Sequence, residues 1–430
     1  MRIMMMTNTY LPHVGGVARS VAAFSDAYRE LGHEVLVVAP EFEGRDTEEQ
    51  NVVRVPAVQN FNGSDFSLVL PSTGLLSEAT AQYQPDIIHA HHPFLIGSTA
   101  LRLAAQYSRP LVFTHHTMYE QYTHYAPGDS PILKRFVAML SIHFANACQR
   151  VFAPSESVAA TLQERGVIIP IDVIPTGVRD ELFKVGHGAG FRAALGIDKE
   201  AFVLGHVGRL APEKNLDFLA EAIALCLQRH AGAVAVIVGS GPCTPALRAI
   251  FRARGVHDRA FLLGALDHPL LASAYRAMDV FAFASKTETQ GMVLTEAMAA
   301  SVPVIALDAP GAREVVVDGI NGRLLTDEDV QTFAAALSWC ANLDVRDRQR
   351  LRRQAKATAA RFSLRRCASH ALSSYAALLA ELRPPSSTET ALWDEALNRI
   401  GAEWTLLKSL AGAAGHALTS EVPRTPHAPP

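Results

Sequence analysis

Short apolar segments typical of buried strands alternate with amphipathic helical segments along the chain, and this alternation runs through twice. Apolar runs without polar alternation are typical of parallel strands that are covered on both faces of a sheet. In the first half these runs are Ile3–Met6, Glu34–Ala39, Ile87–His89, Leu111–Thr114 and Val151–Ala153. In the second half they are Phe202–Val207, Val234–Val238, Ala260–Leu263, Val280–Phe283 and Val304–Leu307. We therefore predict an α/β fold of two doubly wound, Rossmann-like domains that face a cleft.

Helical periodicity fills the intervals between these runs. Apolar residues recur on one face in Val17–Leu31, Leu216–Gln228, Ala272–Met278 and Leu294–Ala300, as they do in helices that cover a sheet. Proline and glycine interrupt the pattern at Ile174–Val178. We expect the joint between the two domains at this interruption.

The joint divides the chain into a first domain over residues 1–176 and a second over residues 177–362. Ser363–Leu382 has the pattern of one helix, and residues 384–430 are expected to hold a linker, an amphipathic helix and a disordered tail. The apolar residues that share one face of that amphipathic helix are Trp393, Leu397, Ile400, Trp404 and Leu407. Its opposite face mixes acids and bases, so we expect it to pack against protein in preference to a membrane.

Charge balance and cysteine spacing limit the class of protein. With 39 Lys and Arg against 42 Asp and Glu, the net charge is −3, whereas nucleic-acid-binding proteins carry a basic excess. The five cysteines are scattered and form no Cys-x-x-Cys pair, which favours a reducing compartment. The N-terminal apolar run is too short for a signal peptide, and no apolar stretch is long enough to span a membrane. We expect a cytoplasmic protein without nucleic-acid partners, and peripheral contact with the inner face of the cell membrane stays open.

Ligands of doubly wound sheets bind at the carboxyl ends of the strands, so residues that directly follow strands are candidates for the site. Gly15 and Gly16 follow the first strand and precede a helix. Glycine there lets a ligand approach the backbone, and the helix start favours negative charge. The pair belongs to no Gly-x-Gly-x-x-Gly or Walker A pattern, so a dinucleotide or P-loop site is not indicated. A tight turn alone is the alternative interpretation.

Two cations follow the first strand of the second domain. Arg209 and Lys214 lie in the stretch Gly208–Asn215. An arginine offers a planar set of donors and a lysine a compact charge, and together they suit a diphosphate. A solvated loop is the alternative interpretation.

Two glutamates follow the fourth strand-like run of the second domain. Glu288 lies in the loop, and Glu296 lies eight positions later on the helix that begins near Gly291. Unpaired N–H groups around Gly291, Met292 and Val293 would attract a phosphate. The carboxylates would accept hydrogen bonds from sugar or ribose hydroxyls. A capped surface helix is the alternative, but a glutamate within an otherwise apolar helix needs a partner.

Together these separated motifs resemble the retaining glycosyltransferases of family 4, which have the GT-B fold. The resemblance covers Met1 to about Leu382 and implies a nucleotide-sugar donor. It implies that Arg209 and Lys214 bind the donor diphosphate. It also implies that Glu288 binds hydroxyls of the donor sugar and that Glu296 binds the ribose.

In the first domain, the same resemblance implies that Gly16 approaches the diphosphate. It further implies that His116, in the stretch Thr114–Thr117, contacts the transferred sugar. The terminal helix of this fold usually crosses back to the first domain, and we expect the same of residues 363–383.

A narrower resemblance, carried by Thr117–Tyr125 and Thr287–Gly291, is to bacterial diacylglycerol glucosyltransferases. It implies transfer of glucose from UDP-glucose to a membrane lipid. Such enzymes usually have a basic first domain, whereas residues 1–176 hold 11 Lys and Arg against 16 Asp and Glu, a charge of −5. The alternatives left open are a glycosyltransferase that builds polysaccharide or lipopolysaccharide from a UDP- or GDP-sugar, an epimerase or phosphorylase of the same fold, and a sugar-nucleotide sensor without activity.

Two patterns suggest a metal site but have simpler explanations. The histidines that follow or end two first-domain strands are His89, His91, His92, His115 and His116. No cysteine or carboxylate completes a zinc set with them. Asp327–Asp329 precedes a helix, where acids complement the helix dipole. We therefore expect no metal and no cofactor, with the nucleotide sugar as a substrate.

The predicted mechanism is electrostatic. Arg209, Lys214 and helix N–H groups stabilise the diphosphate as it leaves, so that the chemistry requires no metal. The family retains configuration, and the motifs offer no obvious nucleophile. The acceptor hydroxyl is therefore expected to attack from the face that the diphosphate leaves, and the diphosphate to take its proton.

Overall fold

The computed structural model of the chain describes residues 1–13, 15–42, 49–58, 68–69, 73–121, 130–382 and 401–414. These residues form two compact units, each with its own parallel sheet. Unit 1 comprises Met1–Ile174 and the described residues from Ala368 onward, and unit 2 comprises Pro175–Cys367. The predictions that lie outside the described residues concern Tyr122–Tyr125 of the narrower motif, the first part of the amphipathic helix through Ile400, the linker and the tail.

Unit 1 contains a seven-stranded parallel sheet and a small antiparallel ribbon. The strands are β1 (Arg2–Met6), β2 (Glu34–Pro40), β3 (Val52–Val55), β4 (Ala57–Val58), β5 (Leu68–Val69), β6 (Ile87–Ala90), β7 (Leu111–Thr114), β8 (Arg150–Ala153) and β9 (Ile171–Val173). The order in the sheet is β3-β2-β1-β6-β7-β8-β9, and β4 pairs with β5. The direction of winding therefore reverses between β1 and β6, which makes this position the switch point of the sheet.

Five helices of unit 1 connect these strands. They are α1 (Gly16–Glu30), α2 (Thr73–Tyr83), α3 (Ile96–Gln106), α4 (Pro131–Asn146) and α5 (Glu156–Glu164), with a 3₁₀ turn at Tyr119–Gln121. Helix α4 is capped by Ser130, whose side chain accepts a hydrogen bond from the Leu133 N–H at 3.2 Å. Pro131 at the first helical position has no N–H that would need an acceptor.

Unit 2 repeats the same arrangement. Its strands are β10 (Phe202–Val207), β11 (Ala233–Val238), β12 (Ala260–Leu262), β13 (Val280–Phe283), β14 (Val304–Leu307) and β15 (Gly322–Leu325). The sheet is entirely parallel with the order β12-β11-β10-β13-β14-β15. Its switch point lies between β10 and β13.

Helices cover both faces of this second sheet. They are α6 (Asp180–Lys184), α7 (Gly188–Ala194), α8 (Leu216–Arg229), α9 (Thr244–Ala253), α10 (Leu270–Ala277), α11 (Met292–Ala299), α12 (Val330–Ala341) and α13 (Val345–Arg361), with 3₁₀ turns at Pro212–Lys214 and His257–Arg259. Alternate residues of β13 enter different cores, since Phe281 and Phe283 pack in one cluster and Val280 and Ala282 in the other. The continuous apolar runs of the sequence are thus explained by burial on both faces.

The predicted fold class of two parallel, Rossmann-like α/β sheets is confirmed, and the central strands occur where the apolar runs predict them. The ribbon strands β4 and β5 were not predicted. Three strands of the parallel sheets were not predicted either, namely β3, β9 and β15, and each of these lies at an edge of its sheet. Each is short and includes a charged residue: Arg54, Asp172 and Arg323. The charged residue interrupts the apolar run in these three edge strands, whereas the edge strand β12 is apolar throughout and was predicted.

Within the part of the chain that the structure describes, two further helices follow α13. Helix α14 (Leu364–Glu381) continues into unit 1, where the Glu381 carboxylate accepts a hydrogen bond from Arg150 at 3.0 Å. Residues 401–414 form a helix that packs against unit 1 through Ala402 and Leu406. Packing against protein is therefore confirmed, but the expected face is wrong: Trp404 and Leu407 are 60% and 58% exposed. Small side chains on the buried face allow the helix a closer approach than a tryptophan would.

All five cysteines are free thiols, and four of them are buried. No helix among the described residues is both long and apolar enough to cross a membrane.

Candidate active site

The predicted site residues lie after strands at or beside the switch point of each sheet. In unit 1, Gly15 and Gly16 follow β1, and His116 follows β7. In unit 2, Arg209 and Lys214 follow β10, and the loop with Glu288 follows β13. These positions are the carboxyl ends of the strands, where doubly wound sheets bind ligands.

In unit 2, the structure brings Lys214 and Glu288 together as an ion pair between Lys214 Nζ and Glu288 Oε1. The two residues are 74 positions apart in the chain, and each side chain is 18% exposed. A pair this sheltered is less screened by salt than a surface pair. The ammonium and the carboxylate therefore hold each other in place at the end of β10.

Arg209 forms a separate ion pair, with Glu213 in the same loop. The Glu213 carbonyl oxygen accepts hydrogen bonds from the hydroxyls of Ser285 and Thr287, each at 3.2 Å. The loop after β10 is thus tied to the loop after β13. Because the Arg209 side chain is 44% exposed, its guanidinium is accessible to an anion from solvent.

Gly291 starts helix α11 in the left-handed conformation, with a φ of 68°. A Cβ at this position would lie 2.9 Å from Leu294 Cδ1 and 3.1 Å from the Gly311 carbonyl oxygen. Only glycine meets both the backbone and the space requirement without strain. The N–H groups of Met292 and Val293 in the first turn have no acceptor inside the helix, so they are available to an anion.

Glu296 has the partner that its place in an apolar helix requires. Its Oε2 atom accepts a hydrogen bond from the Tyr275 hydroxyl at 2.7 Å, and Tyr275 is fully buried in α10. Glu296 itself remains partly exposed. The tyrosine therefore orients the carboxylate, a group whose oxygens accept hydrogen bonds.

The loop Gly239–Gly241, which sequence reasoning missed, supports the Gly208–Leu210 backbone. A Cβ on Gly239 would lie 1.8 Å from the Gly208 carbonyl oxygen, and one on Gly241 would lie 2.3 Å from that of Leu210. The Leu210 N–H donates to the Ser240 carbonyl oxygen at 2.9 Å. The signal in the sequence is a Gly-Ser-Gly directly after the strand β11, which allows two loops to touch through their backbones.

Gln290 is a second residue whose role was not predicted. The Thr176 N–H donates to Gln290 Oε1 at 2.7 Å, and Gln290 Nε2 donates to the Thr176 carbonyl oxygen at 2.5 Å. Both residues are buried. Gln290 therefore fixes the loop that carries Glu288 and Gly291 to the peptide of Thr176 near the start of unit 2.

We expect Gln290→Ala to lower the free energy of unfolding of unit 2 by about 2–3 kcal/mol, because it removes two buried hydrogen bonds to backbone. The matched control is Gln331→Ala, since the exposed Gln331 accepts only from Arg229 Nη2 among the described residues. Its loss should stay within about 0.5 kcal/mol. Urea unfolding followed by circular dichroism measures both, and equal midpoints for the two variants would contradict the assigned role.

His206 in β10 lies next to the loop of Arg209 and Lys214. Its Nδ1–H donates to the Ala282 carbonyl oxygen at 3.0 Å, which leaves Nε2 as an acceptor. Burial lowers the pKa of His206 to about 4, so the ring is neutral near pH 7. Its Nε2 atom is buried and has no hydrogen-bond partner among the described residues.

In unit 1, the glycine pair forms the entrance to helix α1. Gly15 is the N-cap in an extended conformation, and its carbonyl oxygen accepts from the Arg19 N–H at 3.0 Å. A Cβ added to Gly16 would meet no described atom within 4 Å. The space beside Gly16 is therefore not filled by a described atom, and the approach of a ligand to this backbone stays a prediction.

The histidines after β6 and β7 form a buried cluster in unit 1. His91 Nδ1 and His116 Nε2 lie 2.9 Å apart, so one ring donates a hydrogen bond to the other. His92 Nδ1 accepts from the Asn8 N–H at 3.1 Å. His116, the residue predicted to contact the sugar, is thus held through His91.

A second chain of hydrogen bonds lies behind this cluster. The Tyr375 hydroxyl, on α14, lies 2.5 Å from His89 Nδ1, and His89 Nε2 lies 2.7 Å from Thr114 Oγ1. Both ring nitrogens of His89 are accounted for by these contacts. Sequence reasoning placed His89 and Thr114 at the ends of two strands but had no signal for Tyr375, which is 286 positions from His89.

Burial keeps these imidazoles neutral. It lowers the pKa of His89 and of His92 to about 3 and that of His115 to about 4. Burial, together with repulsion from neighbouring rings, holds the pKa of His91 and of His116 well below the usual range. The cluster therefore offers a ligand neutral donors and acceptors and no positive charge near pH 7.

The structure also shows how the two sequence patterns that suggested a metal site are arranged. Among the described residues, no group of three or more His, Cys, Asp or Glu is arranged to hold a metal ion. Asp329 caps α12 by accepting from the Thr332 N–H at 2.7 Å, as predicted. Glu328 pairs with Lys286.

Comparison with known proteins identifies the family. A family model described as Glycosyltransferase Family 4 matches residues 14–182, and one described as Glycosyl transferases group 1 matches residues 190–358. An alpha-monoglucosyldiacylglycerol synthase of Streptococcus pneumoniae is 30% identical over 334 residues, which is 76% of each chain. A GDP-mannose-dependent alpha-mannosyltransferase of Corynebacterium glutamicum is 31% identical over 353 residues, covering 79% of this chain and 80% of the relative.

Solved structures share the fold. The structure of Anabaena Alr3699/HepE in complex with UDP aligns with a TM-score of 0.71 at 22% identity, over 88% of this chain and 100% of that one. Sucrose-phosphate synthase from Thermosynechococcus elongatus aligns with a TM-score of 0.73 at 22% identity, over 89% and 100%. Together, the fold, the two matched models and the relatives show that this chain belongs to glycosyltransferase family 4 and is a hexosyltransferase that uses a nucleotide sugar.

Proposed function

We propose that this hexosyltransferase moves glucose from UDP-glucose to a lipid hydroxyl, with diacylglycerol as the acceptor, and that it retains the configuration of the sugar. The observation that carries the proposed donor site is the Lys214–Glu288 ion pair. It places a cation and a carboxylate together at the switch point of the unit 2 sheet, where nucleotide ligands bind in doubly wound folds.

The proposed donor contacts in unit 2 follow from charge and position. Lys214 and Arg209 bind the diphosphate. When the donor binds, each cation either leaves its present carboxylate partner or contacts that carboxylate and the diphosphate together. The free N–H groups of Met292 and Val293 add two neutral donors for phosphate oxygens. Glu288 and Glu296 accept hydrogen bonds from the hydroxyls of the sugar and of the ribose. The roles of Gly15, Gly16 and His116 in unit 1 stay predictions.

The proposed reaction exchanges one bond at the anomeric carbon for another. The bond from the anomeric carbon to the diphosphate oxygen breaks, and a bond to the acceptor oxygen forms on the same face of the sugar. The acceptor's proton passes to a diphosphate oxygen, so the products are the glycoside and the nucleoside diphosphate. Cations that stabilise the charge developing on the leaving group lower the barrier directly. We propose that no cofactor takes part.

The names of the relatives support the proposed substrates. Two of them, from Streptococcus pneumoniae and Acholeplasma laidlawii, are alpha-monoglucosyldiacylglycerol synthases at 30% and 29% identity. The second candidate is mannosyl transfer from GDP-mannose, because mannosyltransferases from Corynebacterium glutamicum and Mycobacterium tuberculosis are 31% and 30% identical. Similar identities to both groups make the donor base the first property to test.

The test is a panel in which UDP-glucose and GDP-mannose are each combined with diacylglycerol and with a water-soluble glycan acceptor. Mass spectrometry of the products reports which sugar reaches which acceptor. We expect a hexosyl-diacylglycerol from UDP-glucose alone. Product from GDP-mannose, or transfer to the glycan with none to diacylglycerol, would contradict the proposed substrates while leaving the family membership intact.

A further inference from the structure

Helix α13 and the start of α14 concentrate positive charge in a chain that is acidic as a whole. Residues 344–366 contain nine Lys and Arg and two Asp, a net charge of +7, whereas the complete chain has a net charge of −3. The segment belongs to unit 2. The positive charge is therefore local, and the total charge of the chain conceals it.

The cations of α13 form one exposed face. At 3.6 residues per turn, Arg346, Arg350 and Arg353 lie in a row along the helix, and Lys356 and Arg361 flank that row. All five are exposed, whereas Leu351, Ala355 and Ala359 on the opposite side are buried. We call these five cations the basic face. It contains no acid, because Asp344 caps the helix and Asp347 lies at the side of its first turn.

A helix face whose charges all have the same sign lowers the stability of the helix in isolation. Cations three or four positions apart repel each other, whereas alternating signs would stabilise the helix. Arg350 contacts Asp347 at 3.3 Å. Arg346, Arg353, Lys356 and Arg361 have no hydrogen-bond or ion-pair partner among the residues that the structure describes. Intrahelical or tertiary ion pairing within the described residues therefore does not neutralise these four cations, and all four are exposed to solvent.

We propose that the basic face docks unit 2 on the anionic surface of a phospholipid bilayer. The charge is complementary to anionic headgroups, and Arg365 and Arg366 on the next helix extend it. Val345, 72% exposed at the start of α13, offers an apolar contact to a membrane that a nucleic acid would not use. The inference rests on the proposed function, since an enzyme whose acceptor is a membrane lipid must reach the bilayer surface.

The experiment measures binding of the full chain to vesicles by co-sedimentation, with no donor or acceptor present. The vesicles contain either phosphatidylcholine alone or phosphatidylcholine with phosphatidylglycerol. Wild type should bind the anionic vesicles and release them as salt rises, because exposed charges are screened. Arg346→Gln/Arg353→Gln/Lys356→Gln should weaken binding by about fivefold for each cation, on the order of 100-fold in total.

The matched control removes three exposed cations elsewhere in unit 2, as Lys199→Gln/Arg248→Gln/Arg252→Gln. Its vesicle binding should stay near that of wild type. The proposal is overturned if the two triple variants bind alike, if wild type binds both kinds of vesicle equally, or if duplex RNA binds the basic face more tightly than anionic vesicles do. Retained transfer to diacylglycerol in nonionic detergent by the α13 variant would show that the fold and site are intact.

Vesicle binding and sugar transfer are separate readouts, so the two proposals fail separately. Salt-sensitive binding that depends on the basic face, together with no transfer to diacylglycerol, would overturn the proposed substrates and support the docking surface. Transfer to diacylglycerol without such vesicle binding would overturn the docking surface and support the proposed substrates.

Discussion

Lys214→Met should lower turnover by on the order of 100- to 1,000-fold, because it removes one preorganised charge from the leaving diphosphate while keeping the length of the side chain. The ammonium of Lys214 is sheltered and paired with Glu288. Its interaction with the diphosphate should strengthen as negative charge develops there. The loss should therefore appear in kcat as well as in the affinity for the donor.

Lys286→Met is the matched control for this prediction. Lys286 lies two positions before Glu288 in the same loop, and its exposed ammonium pairs with Glu328. Removing it should change turnover by less than about twofold, since exposed ion pairs contribute little. Steady-state kinetics with the preferred nucleotide sugar measures both variants. Equal losses for the two lysines, or near-normal turnover of Lys214→Met, would exclude Lys214 from the donor site.

Acidification from pH 7.0 to pH 5.5 should destabilise the protein by about 4 kcal/mol through four buried histidines alone. The pKa is lowered by burial to about 3 for His89 and His92 and to about 4 for His115 and His206. Once unfolded, these rings titrate near pH 6.5. Below that pH the unfolded chain binds protons that the folded chain does not, so stability falls as pH falls towards 4.

The size of this effect follows from about 1 kcal/mol for each ring over this pH interval. Urea unfolding at pH 7.0 and 5.5 measures it, and His206→Gln supplies the comparison. Glutamine does not titrate, so this variant should lose about 1 kcal/mol less than wild type over the same interval. A stability that does not change between the two pH values would show that the folded rings take up protons as readily as the unfolded ones.

Sequence reasoning predicted candidate site residues in unit 2 but not the contacts between them. Arg209, Lys214, Glu288 and Glu296 were all chosen because they follow strands, and the structure places them at those strand ends. The Lys214–Glu288 pair joins residues 74 positions apart, and the Gln290–Thr176 bonds span 114. Such contacts depend on strand order in three dimensions, which periodicity along the chain does not contain.

The basic face of α13 shows a different limit. The net charge of −3 argued against a nucleic-acid partner. This total averages a basic helix with an acidic remainder, so it gives no sign of the basic face. The pattern of Arg346, Arg350 and Arg353 is visible in the sequence once the helix is known. Net charge should therefore be calculated for each predicted helix and strand as well as for the whole chain.

The 401–414 helix illustrates a limit of the helical pattern itself. An apolar face through Trp404 and Leu407 predicts that this face is buried, yet Ala402 and Leu406 face the protein. Two faces of the helix have apolar character, and the choice between them depends on the shape of the surface against which the helix packs. That shape is a property of α3 and α4, whose Arg102 and His143 lie against the helix at Glu403 and Gly412.

The most direct test of the account is the proton NMR spectrum of the product formed from UDP-glucose and diacylglycerol. Transfer with retention of configuration predicts a new α-anomeric signal that grows only when the acceptor is present and that is nearly absent with Lys214→Met. Release of UDP without an acceptor-dependent glycoside, or a product with the β configuration, would contradict it.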